Sequence, residues 1–95
     1  MFTDNTLQVI AAEVGLRIDA NLPLSFYTGA VEEPDESWSC MLALTDSRNV
    51  YKMPHPIFPT GYDASDYIAR YVRDELPEQL ERYGVRLTYQ FTEPV

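Results

Sequence analysis

The sequence is poor in the residues from which enzymes and metal centres are built. It has one cysteine, Cys40, and one histidine, His55. A lone cysteine excludes an internal disulfide framework. One Cys with one His falls short of the three or four ligands of a zinc site within a single chain. The four glycines stand singly, so no glycine-rich phosphate loop is present. Basic residues are scarce: 7 Lys and Arg face 15 Asp and Glu, a formal charge of −8. A chain of that sign repels phosphate, which argues against direct nucleic-acid binding and against an anionic membrane surface. No apolar run approaches the roughly 18 residues of a membrane span, and residues 2–14 lack the basic start of a secretion signal. A cytoplasmic location is the expectation.

What is present is enough to fold. The 95 residues are 45% hydrophobic and 13% aromatic. That is too apolar for intrinsic disorder and about the length of one domain. Leu7, Ile10, Ala11 and Val14 keep the spacing of a helix face, with Thr3 or Asp4 placed to cap it and Gly15 to end it. Residues 22–28 alternate as a strand that Gly29 closes, with Pro23 at a start or edge position. Residues 37–45 are the clearest strand, apolar or small on both faces and therefore central. A turn at 46–49 and a short strand at 50–53 complete a hairpin. Residues 54–62 carry three prolines and are expected to be an irregular loop, packed on the core through Ile57, Phe58 and Tyr62. Helical spacing then runs from Asp63 to Tyr83, with Asp63 and Asp66 as an approximate capping box. Pro77 divides this run into pieces at about 63–75 and 77–83, and Gly84 ends the second. Residues 85–92 alternate strictly as a last strand. The expectation is a single α+β domain of order α-β-β-β-α-β, a mostly antiparallel sheet of three to four strands with helices packed on one face.

Chemistry has few carriers. Cys40 falls mid-strand beside Trp38 and Leu42, the setting of a structural thiol rather than an activated nucleophile. His55 stands between two prolines in the expected loop, and a Cys40–His55 pair is the one small-enzyme alternative. Carboxylates are plentiful, but each lies in a loop or on a polar helix face. None is placed to acquire the raised pKa of a catalytic acid. No catalytic residue, cofactor site or metal site is assigned, and the chain reads as a non-enzyme. The acid run at 32–36 also lacks the alternate-oxygen spacing and closing glutamate of a calcium loop.

The charge is uneven. Residues 1–36 hold seven acids and one base, Arg17, while residues 37–62 hold Asp46 against Arg48 and Lys52. The densest feature is Glu32-Glu33-Pro34-Asp35-Glu36, expected to be an extended, self-repelling loop. Asp74, Glu75, Glu78 and Glu81 form a second acidic group, interrupted by Arg73 and Arg82. Such acids steer a chain toward a basic surface, and the most basic cellular surfaces are nucleic-acid-binding grooves, where carboxylates take arginine and lysine positions otherwise used by phosphates. Tyr27, Tyr51 and Tyr62 are candidate anchors of that contact.

A short single domain, dense in Glu32-Glu33-Asp35-Glu36-type acids and without an enzyme motif, resembles the small phage-encoded inhibitors of bacterial defence, such as anti-CRISPR proteins. The resemblance rests on length, composition and coarse topology. It implies a stoichiometric binder of a basic nucleic-acid-binding protein or complex, acting in the host cytoplasm. The alternative from another class is a structural or accessory module that forms a homo-oligomer through its edge strand and exposed tyrosines.

Overall fold

A computed structural model describes residues 1–87 of the chain. Its elements are α1 (Asp4–Asp19), β1 (Phe26–Glu32), β2 (Trp38–Leu44), β3 (Val50–Phe58), α2 (Gly61–Asp74) and α3 (Leu76–Glu81). The three strands form one antiparallel sheet of order β1-β2-β3, with β2 in the centre as its two apolar faces require. The fold is α+β. Its order differs from the expected one at the end, where two helices follow β3. The strand expected over 85–92 lies mostly outside the described residues, and residues 85–87 belong to no strand.

Paired residues share a face of the sheet. Phe26 opposite Leu44, Ala30 opposite Cys40, and Cys40 opposite Met53 define the face turned to the helices. Leu7, Ile10, Ala11 and Val14 of α1 meet Ala64, Ile68, Tyr71 and Val72 of α2 and Leu76 and Leu80 of α3 in one core with Cys40, Leu42, Leu44, Tyr51 and Met53. The Phe2 ring stands edge-on to Tyr71, at 5.8 Å between centroids.

Four boundaries depart from the sequence reading. The helix α1 passes through Gly15 to Asp19, and Asn21 takes the left-handed φ of 55°. A Cβ at Gly15 would make only an ordinary contact with the Val85 side chain, at 3.6 Å, so the helix has room for a side chain there. The first strand lies four residues later than expected, and Gly29 is inside it. Opposite Gly29 the Met41 sulfur fills the space a side chain would take, 3.3 Å from an added Cβ. Residues 54–58, expected to be irregular, continue β3. Cys40 pairs with Met53 and Trp38 with Phe58, so five steps on β3 face two on β2, and the surplus forms a bulge holding Pro54 and Pro56. An edge strand tolerates this because its outer donors need no partner in the sheet. Phe58 packs against the core there, whereas Ile57 and Tyr62 are 50% and 80% exposed. Finally, α2 is capped by Thr60, whose Oγ1 accepts from the Asp63 N–H (3.1 Å), rather than by Asp63.

Candidate functional site

The β1–β2 turn carries the densest charge. The Glu36 N–H donates to Glu33 O (3.0 Å) and the Glu33 N–H to Ser37 O (2.8 Å). Pro34 occupies the second position of this turn, where its fixed φ is favoured. The run is thus a tight turn and not the extended loop expected; proline sets the bend. Glu36 has φ 68°, the left-handed residue that closes a three-residue hairpin loop, a place that favours glycine or asparagine.

The four carboxylates are of two kinds. Glu33 is partly buried: its Oε1 accepts from Ser39 Oγ (2.7 Å) and pairs with the Lys52 ammonium. Asp35 Oδ1 accepts from the backbone N–H (3.1 Å) and the hydroxyl of Ser37. Lys52 first and Ser39 second hold the Glu33 carboxyl below its ordinary range, and Ser37 does the same for Asp35. Glu32 and Glu36 are exposed, and their carboxylates take no hydrogen bond or ion pair among the described residues. Behind the turn is a recess of about 550 Å³, lined by Glu33, Asp35, Ser39, Lys52 and the α1-start residues Thr3 and Thr6.

The second acidic group surrounds the α2–α3 junction. Asp74, Glu75, Glu78 and Glu81 are all exposed. Arg73 forks onto Asp74 at 3.0 and 3.2 Å, and Arg86 lies 3.8 Å from Glu81, so this group is more neutralised than the turn.

The three tyrosines do not converge. Tyr62 is exposed near the turn, one residue after Gly61, whose backbone lies against the Trp38 ring. Tyr27 is 62% exposed on the sheet face away from the helices, five residues and roughly 16 Å along β1 from Glu32. Tyr51 is a correction. It is buried, and its hydroxyl donates to Glu13, so it is a core residue and not a contact for a partner. That face of the sheet also exposes Val50, opposite Ala43.

Sequence reasoning missed two nodes. Glu13 accepts from both Tyr51 and the Ser47 hydroxyl, tying α1 to β3 and to the β2–β3 turn. The Glu33–Ser39–Lys52 node needs the sheet register to be seen, since Ser39 pairs with Val31 and Lys52 with Met41. Among the thiol and imidazole candidates, Cys40 is fully buried, its Sγ donates to Ala64 O (3.1 Å), and burial pushes its pKa up. His55 is exposed on the β3 bulge.

No protein-family model, curated protein or solved structure matches this chain. Its chemistry is therefore read from its own side chains. Among the described residues, no three side chains of the metal-ligating types come together, and no helix is long and apolar enough to cross a membrane.

Proposed function

We propose that this protein is a non-enzymatic acidic binder: a stoichiometric inhibitor that occupies the basic nucleic-acid-binding surface of a partner complex and blocks its access to DNA or RNA. In this it acts as the small phage-encoded inhibitors of bacterial defence do. One observation carries the reading. The hairpin tip concentrates Glu32, Glu33, Asp35 and Glu36 in a single turn, with Lys52 the one base paired to it among the described residues. A turn is stiffer than an extended loop, so less ordering entropy is lost when it docks. Asp74, Glu75, Glu78 and Glu81 add a second, weaker field.

The experiment is retention of partners from a bacterial lysate at low and at high salt. The comparison is between the natural chain and one with Glu32, Glu33, Asp35 and Glu36 all changed to lysine. Retention of a nucleic-acid-binding protein by the natural chain, lost on charge reversal and weakened by salt, is expected. Equal retention by both chains at both salts excludes the reading.

A further inference from the structure

We draw no further inference here: the strongest candidate, the recess behind the β1–β2 turn lined by Glu33, Asp35, Ser39 and Lys52, belongs to the acidic site already described, and nothing in the structure shows what fills it.

Discussion

Glu13 is carried by α1 to the margin of the core, where three structural elements meet on one carboxylate. Burial works against its ionisation. Hydrogen bonds from Ser47, Tyr51 and Asn49, with the charge of Arg17, outweigh that effect and hold its pKa below the ordinary value. The partner Tyr51 is moved the other way, up to about 12, by burial and then by the Glu13 charge. A folded pKa below the unfolded one stabilises the native state above the unfolded value, near 4.3, and that stabilisation is lost as pH falls through the folded value. Glu13→Gln should therefore lower stability by about 1–3 kcal/mol at neutral pH, and the gap from the natural chain should close in acid. Urea melts across a pH series check both statements; a gap independent of pH would assign the loss to packing. None of this was visible in the sequence. Glu13 looked like one more solvated acid on a helix, because nothing in residues 7–14 says that Ser47 and Tyr51 arrive beside it.

At the scale of elements, local periodicity read well and boundaries read poorly. The helix faces of α1 and α2 and the central place of β2 followed from spacing alone, because side-chain direction is fixed by the backbone period. Glycine and proline misled where tertiary partners decide their use. Gly29 pairs with Met41 inside β1 rather than ending it, and Pro54 and Pro56 sit in β3, where an edge strand tolerates them. Of the candidate site, the four turn acids were legible as a cluster, but not their division into three exposed carboxylates and the partly buried Glu33. That division depends on Lys52 and Ser39, which the register delivers. The turn also holds a local conflict, a glutamate in left-handed backbone. An L-residue there costs roughly 1–2 kcal/mol, of which glycine's greater unfolded-state entropy takes back part. Glu36→Gly is thus expected to raise Tm by a few degrees and, on the proposed function, to slow association with a basic partner. A fall in Tm would mean that the Glu36 side chain stabilises the hairpin.

Across the whole molecule, one patch of exposed apolar side chains lies away from the two acidic groups. The acids gather at the hairpin tip and the α2–α3 junction, while Tyr27 and Val50, each 62% exposed, flank Ala43 on the open face of the sheet. At low salt the net charge of −8 keeps copies apart. At ionic strength near 1 M, where screening acts within about 3 Å, that repulsion is removed and the apolar row is left to act. Sedimentation equilibrium should give a single-chain mass at low salt and a concentration-dependent rise at high salt, suppressed by Tyr27→Lys. A mass fixed across the series removes self-association through this face. One last consequence comes from Trp38. It opens β2 opposite Glu32, faces Phe58 across the bulge, and lies within 3.1–3.3 Å of where a Gly61 Cβ would be. It is also the chain's single tryptophan and is only partly buried. The acidic tip therefore carries a native fluorophore at its base, so docking there can be followed optically, with no label attached to the surface under study.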